Sequence, residues 1–219
     1  MNRKIELSGQ SLGVESAKVI ANMIKVNTNI SQICLSSNRI SDKGIEYLGA
    51  TLPLCPLVHF DLSNNQITHR SMPVLCRSLK MNRTLVSLDL SSRVKSHFKN
   101  HIGLQGAINL GEVLSSERSL ISILALEGCS VGNDGVKALF SKLPKESPLI
   151  SLNLAGNDLS MHGSTLSYLL LIWLPRTLHT LDLSGNPKLG DAGALLLSQA
   201  INEGDTTPPI IMSEDFKDE

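Results

Sequence analysis

The apolar positions of this chain fall on a repeating template. In the stretch 149–159, leucines stand at Leu149, Leu152 and Leu154, an asparagine at Asn157 and a closing leucine at Leu159. The frame recurs as Ile30, Ile33, Leu35, Asn38, Ile40 and as Leu57, Phe60, Leu62, Asn65, Ile67. It returns as Leu178, Leu181, Leu183, Asn186, Leu189, with the last residue one place late. The second leucine of each L-x-L pair falls at Leu7, Leu35, Leu62, Leu90, Leu126, Leu154 and Leu183, in steps of 28, 27, 28, 36, 28 and 29 residues. Inside the frame polar and apolar residues alternate, as in Leu88-Asp89-Leu90, which predicts short strands buried on one face.

Each strand piece is followed by a turn rich in Ser, Gly and Asn, and then by helical spacing. Examples are Val14, Ala17, Ile20, Ala21, Ile24; Ile45, Leu48, Leu52; Leu104, Ala107, Leu110, Leu114; Val136, Leu139, Leu143; and Ala194, Leu197, Ile201. About 28 residues leave room for a strand, a turn, a full helix and a return loop, so each unit is expected to be a β-α pair. Five units carry a glycine four residues past the closing aliphatic, at Gly44, Gly106, Gly135, Gly163 and Gly193. Gly near a helix start costs roughly 1 kcal/mol against Ala, so a steric reason is expected: a close approach to the neighbouring unit. The asparagine is expected to turn inward, satisfy backbone groups left open at the bend and reach the next unit, forming a ladder. Cys129 takes its place in the fifth unit and reads as a small buried filler rather than a reactive thiol.

The resulting organisation is a solenoid of about seven units over residues 1–202 and an acidic tail over 203–219. The tail carries six acids against one lysine. Ile210 and Met212 lie in frame with Leu181 and Leu183, so a degenerate eighth strand is expected at 209–212. A first strand that begins almost at Met1, with no cap before it, is the expectation for a fragment of a longer chain. The apolar run Tyr168 to Leu174 is expected to be buried by the core and the neighbouring helices. The fourth unit breaks the period. Arg93 stands where Asn is expected and the frame resumes at Asn100, leaving an insertion at 93–99 with Arg93, Lys95, His97, Phe98 and Lys99. It must leave the solenoid at the end of its strand, on the rim above the sheet, and it reads as flexible.

Composition adds limits. Formal net charge is +0 and aromatics are only 3%, which argues against a general nucleic-acid or anionic-membrane surface. The four cysteines form no C-x-x-C pair and no apolar leader follows Met1, so a reducing, cytoplasmic setting is expected. No P-loop, zinc spacing, nucleophile elbow or H-E-x-x-H motif occurs, so no cofactor, metal or catalytic residue is assigned.

The period of 28–29 residues and the run Asp191-Ala-Gly-Ala194 resemble the ribonuclease-inhibitor-like class of leucine-rich repeats. Lys80-Met-Asn-Arg-Thr-Leu85 resembles units of nucleotide-binding leucine-rich-repeat receptors. The likeness covers about residues 3–202 and implies an α/β fold: a right-handed horseshoe with a parallel sheet inside and helices outside. The class includes cytosolic inhibitors, innate-immune sensors and the Ran GTPase-activating protein.

In that frame the inner face is small, polar and mildly acidic. His59, Asp61, Asp89, Glu127, Asn153 and Asp182 are the candidate floor residues for a protein partner, with basic or polar groups the natural complement. Adjacent Asp61 and Asp89, near His59, suggest a metal or acid-base pair only weakly. Binding anchors favour aromatic and arginine side chains, and these sit in the insertion. The expected function is therefore a non-enzymatic protein-interaction module using the concave sheet and the rim insertion. The alternatives are a GTPase activator with Arg93 as its charge-stabilising residue, which a flexible loop would not place well, and an enzyme inhibitor, for which the floor has few acidic and aromatic side chains.

Overall fold

A computed structural model describes residues 3–93, 97–160, 177–191, 193, 195, 210 and 211. Strands β1 (Arg3–Glu6), β2 (Ile30–Cys34), β3 (His59–Asp61), β4 (Ser87–Asp89), β5 (Ile123–Ala125), β6 (Ser151–Asn153), β7 (Thr180–Asp182) and β8 (Ile210–Ile211) form one sheet in chain order. Every neighbouring pair is parallel. Helices α1 (Val14–Val26), α2 (Ser41–Thr51), α3 (Met72–Met81), α4 (Gly103–Leu114) and α5 (Gly132–Phe140) return the chain along the outside. The molecule is a right-handed α/β horseshoe with the sheet on its concave wall.

Period-two alternation sets which face is buried. Ile33, Phe60, Leu88, Leu124, Leu152 and Leu181 stand in register on adjacent strands, and each is at least 98% buried. The helices close this layer with side chains such as Ile24, Leu48, Leu79, Leu110 and Leu139. The third unit, in which the aliphatic spacing singled out no helix, nevertheless contains α3. Cys76 there fills an apolar place beside Leu75 and Leu79, and Pro73 sits in the first turn, where a missing N–H costs nothing. Gly163 and the run Tyr168 to Leu174 lie outside the described residues.

The asparagine ladder forms, but it runs backward. Asn38 Nδ2 donates to Leu7 O at 2.8 Å, Asn65 Nδ2 to Leu35 O at 2.8 Å, Asn100 Nδ2 to Leu62 O at 2.9 Å and Asn157 Nδ2 to Leu126 O at 2.8 Å. Each acceptor belongs to the preceding unit, not the following one. Strand pairing ends at that leucine, whose carbonyl points at the next unit, so the next unit's amide meets it. The amide oxygens complete the exchange: Asn100 Oδ1 accepts from Asn65 N and Ile67 N, both at 2.9 Å.

The recurring glycines have the expected steric cause, with a different first neighbour. A Cβ on Gly44 would lie 2.5 Å from Cγ2 of Ile40, and only then 3.0 Å from Cβ of Ala17 in the preceding helix. A Cβ on Gly135 would meet Val131 Cγ1 at 2.6 Å and Ala107 Cβ at 3.4 Å. The closing aliphatic of the same unit is packed hardest, because it tucks under the first helical turn.

Candidate binding surface

The polar residues of β1–β4 project into the hollow. Lys4, Glu6, Gln32, Cys34, His59, Asp61, Ser87 and Asp89 line an open groove of about 370 Å³. His59 stands beside Ser87 and Asp61 beside Asp89 on neighbouring strands. Among the described residues, no group of three or more His, Cys, Asp or Glu side chains could hold a metal ion.

The floor carboxylates are half committed to the fold. Asp61 Oδ1 accepts from the Ser63 N–H at 2.9 Å and from its hydroxyl at 2.7 Å. Asp89 Oδ1 accepts from Ser91 N at 2.8 Å, Asn153 Oδ1 from Ala155 N at 2.9 Å and Asp182 Oδ1 from Ser184 N at 2.9 Å. These are Asx turns, which reverse the backbone at the end of each strand. One oxygen of each aspartate therefore does structural work and a binding role falls to the other, whereas on Asn153 it falls to the amide Nδ2. On Asp61 that other oxygen takes the Cys34 thiol at 3.0 Å. Cys34 Sγ also lies 2.9 Å from Ser8 Oγ, and the Ser8 hydroxyl donates to Glu6. The Ser8 hydroxyl, helped by Lys4, holds the Glu6 carboxyl down at about 2. Burial pushes the Asp89 carboxyl above its ordinary range, and Ser91 and Arg93 offset this in part.

The insertion meets this floor. The Arg93 guanidinium lies 3.7 Å from Asp89 Oδ2. The Arg93 backbone N–H donates to Asn64 Oδ1 at 2.9 Å, and Ser92 Oγ donates to Asn100 O at 2.6 Å across the base of the insertion. On the returning side, Phe98 O accepts from Gln66 N at 2.9 Å, and the Arg39 guanidinium sits 5.0 Å from the centre of the Phe98 ring. The described ends of the insertion thus contact the second and third units; Lys95 lies outside the described residues. His97 and Lys99 are exposed, whereas Phe98 is half-buried against Arg39. Sequence alone had no means of pairing Phe98 with Arg39, since the two belong to different units.

Lys99 and Glu127 take part in a second depression, on the rim. They line about 350 Å³ with His101, Asp158 and Ser184. Its wall is the stack of turns at Ser92, Gly128, Gly156 and Gly185. Asn153 and Asp182 stand side by side on β6 and β7, apart from both depressions.

Family models described as leucine-rich repeats match residues 26–49 and 175–198, and residues 56–78. Ribonuclease inhibitor from Sus scrofa is 28% identical over 229 residues, spanning 91% of this chain and 48% of that one. This chain is a leucine-rich repeat protein of the ribonuclease-inhibitor-like class. NACHT, LRR and PYD domains-containing protein 2 from Homo sapiens shares 29% over 183 residues, 83% of this leucine-rich repeat chain and 17% of the relative. The repeat chain thus spans about half of the inhibitor and about a sixth of the NACHT protein. Among solved structures, the leucine-rich repeat-containing protein LegL7 from Legionella pneumophila superposes with a TM-score of 0.58 at 22% identity, over 97% of this chain and 64% of that one. Leucine-rich repeat proteins as a rule mediate protein–protein interaction, typically as non-enzymatic scaffolds. Among the described residues, no helix is long and apolar enough to cross a membrane.

Proposed function

We propose that this chain is a non-enzymatic module that holds a protein partner against its concave sheet and the rim insertion. The observation that carries the proposal is the contact between Arg93 and Asp89. It joins the first residue of the insertion to the floor, so the two candidate surfaces are continuous. The floor offers Asp182 to basic or polar groups, and the outer oxygens of Asp61 and Asp89 in exchange for their contacts with Cys34 and Arg93. The rim offers His97, Lys99 and the Phe98 edge to acidic or aromatic ones. Polar and charged groups of both signs set partner choice and register more than raw affinity.

The same contact argues against a GTPase activator. A charge-stabilising arginine must be available to a phosphoryl group, whereas Arg93 already faces a carboxylate of its own strand. The four free cysteines support a reducing, cytoplasmic setting.

Affinity capture from a native lysate tests the reading. The chain is compared with one whose residues 93–99 are a Gly-Ser linker, and with an Asp61→Asn, Asp89→Asn double variant. Loss of the same partner from both variants is the expected result. Equal recovery by all three would remove the binding role of floor and rim together.

A further inference from the structure

Where the middle strands enter the sheet, the surface changes from polar to apolar. We infer that this edge and the acidic row above it receive an amphipathic helix of the protein partner, laid across β3–β6. One face of that helix is aliphatic and one flank carries lysine or arginine. The inference rests on the proposed binding role of the concave sheet and names the chemistry that the sheet takes.

The backbone sets the apolar edge in line. Val86 N donates to Val58 O at 2.9 Å, Ser122 N to Val86 O at 2.9 Å and Ile150 N to Ser122 O at 2.8 Å. These four residues each stand one place before a strand, on four successive units. Val58 and Val86 are half-buried. Ser122 interrupts the row and the next residue restores it. Ile123 is 42% exposed, at a floor position that its register partners Ser87 and Ser151 keep polar. Ile150 is 45% exposed, and Leu120, on the approach to β5, is 48% exposed. Three of the nine large apolar side chains exposed among the described residues thus gather at two neighbouring strands. Strands β3–β6 each have a neighbour on both sides, so stacking of the units does not cover this edge.

A second row runs parallel to the first. Asp61 and Asp89 stand side by side on β3 and β4, and Asn153 and Asp182 on β6 and β7. Along each strand the two rows lie two or three residues apart, about 7–10 Å at the strand rise. That is close to the diameter of a helix with its side chains. A helix seated on the apolar edge therefore brings one flank against the acids.

Spacing selects a helix over an extended segment. Neighbouring strands lie about 4.8 Å apart, and one helical turn rises about 5.4 Å. A helix across the strands offers one side chain per strand, at i, i+4, i+7 and i+11, and over four strands the mismatch reaches only about 2 Å. In an extended segment, residues on one face are about 6.6 Å apart, which falls a whole strand out of step over the same distance. This is the helix-in-groove mode of recognition. Charge sets the flank: a row of carboxylates is complementary to lysine or arginine, and a helix cationic on one flank fits in a single direction.

Fluorescence anisotropy with a labelled synthetic peptide tests this. The probe is an Ala–Gln helix with Leu at i, i+4, i+7 and i+11 and Lys one residue after each. Saturable binding to the whole chain is expected. The Ile123→Gln, Ile150→Gln double variant should weaken it by about tenfold or more, and Asp182→Asn by about threefold. A peptide with Glu in place of each Lys should not bind. Both isoleucines are exposed, so thermal melts by circular dichroism should stay unchanged and exclude misfolding as the cause. Absence of binding, equal binding of the Glu peptide, or full binding by the double variant would each overturn the inference. So would sedimentation with phosphatidylserine vesicles, or a dimer of the chain, if abolished by the same double variant, since the edge would then belong to a membrane or to a second copy. Because the probe is a defined peptide, such a failure is distinct from failure of the proposed function, which is read from recovery of the lysate partner by the 93–99 linker and Asp61→Asn, Asp89→Asn chains.

Discussion

Cys129 Sγ stands 3.0 Å from the carbonyl oxygen of Leu90, at the place where the neighbouring units put an asparagine. The thiol keeps the backward bond of the ladder. It is a poor substitute for the amide oxygen, which in Asn100 takes two N–H groups from the preceding unit. Cys129→Asn is therefore expected to stabilise the protein by about 1 kcal/mol, the net contribution of a buried hydrogen bond. Cys129→Ala should cost about 1–2 kcal/mol through the lost bond and the space left. Urea unfolding midpoints, at constant slope, measure both; a fall for the asparagine variant would show that this turn has closed around sulfur.

Gly44 and Gly13 should respond in opposite ways to alanine. Propensity alone favours alanine at Gly44 by about 1 kcal/mol. Its Cβ would collide with Ile40, whose position is set by the buried layer, so Gly44→Ala is expected to destabilise by about 1–3 kcal/mol. At Gly13 the nearest atom is Arg39 O at 4.0 Å, and Gly13→Ala should stay within about 0.5 kcal/mol of the parent. Calorimetric melting of the pair separates packing from propensity.

Asp89 carries a charge that the fold disfavours, because burial lifts its carboxyl above the ordinary range. In the sense of linkage, a carboxyl with a raised folded-state pKa contributes stability that is full below the unfolded value and is lost as pH rises through the folded one. Asp89→Asn keeps an oxygen for the Ser91 N–H and removes the charge. It should raise the urea midpoint at neutral pH, and the gain should vanish as pH falls below the aspartate range. A gain independent of pH would mean that the charge is not its source.

The thiols should be slow to react. Burial pushes Cys76 up to about 12 and raises Cys34, Cys55 and Cys129 as well. Since only the thiolate attacks, titration of the native protein with a disulfide reagent near neutral pH is expected to show little prompt reaction. Half-buried Cys34 should lead the other three, which are buried. All four should react at once in denaturant. A fast native phase lost in Cys76→Ser would show that the helices part readily.

Asp61 and Asp89 show how far the binding floor could be read without coordinates. Their strand positions, and so their place beside one another in the hollow, follow from the period. That one oxygen of each is spent on the turn does not, because the acceptor geometry depends on how sharply the backbone bends. The Phe98–Arg39 contact was hidden for a related reason: it joins an insertion to a unit two repeats away, and nothing in local spacing encodes which way an insertion leans. A helix in the third unit follows from the repeat length, but its apolar stripe does not stand out in the spacing, because a cysteine fills one of its places.

What the chain's order of residues settles alone is the architecture. Aliphatic side chains at a fixed spacing can all leave water together only if every unit adopts the same β-α shape and stacks on the last. What required the tertiary structure is the direction of the asparagine ladder, the neighbour that excludes a side chain at Gly44 and the tethering of the insertion. Each of these depends on which atoms of one unit face which atoms of another, a relation created only when curvature and stacking bring distant residues together.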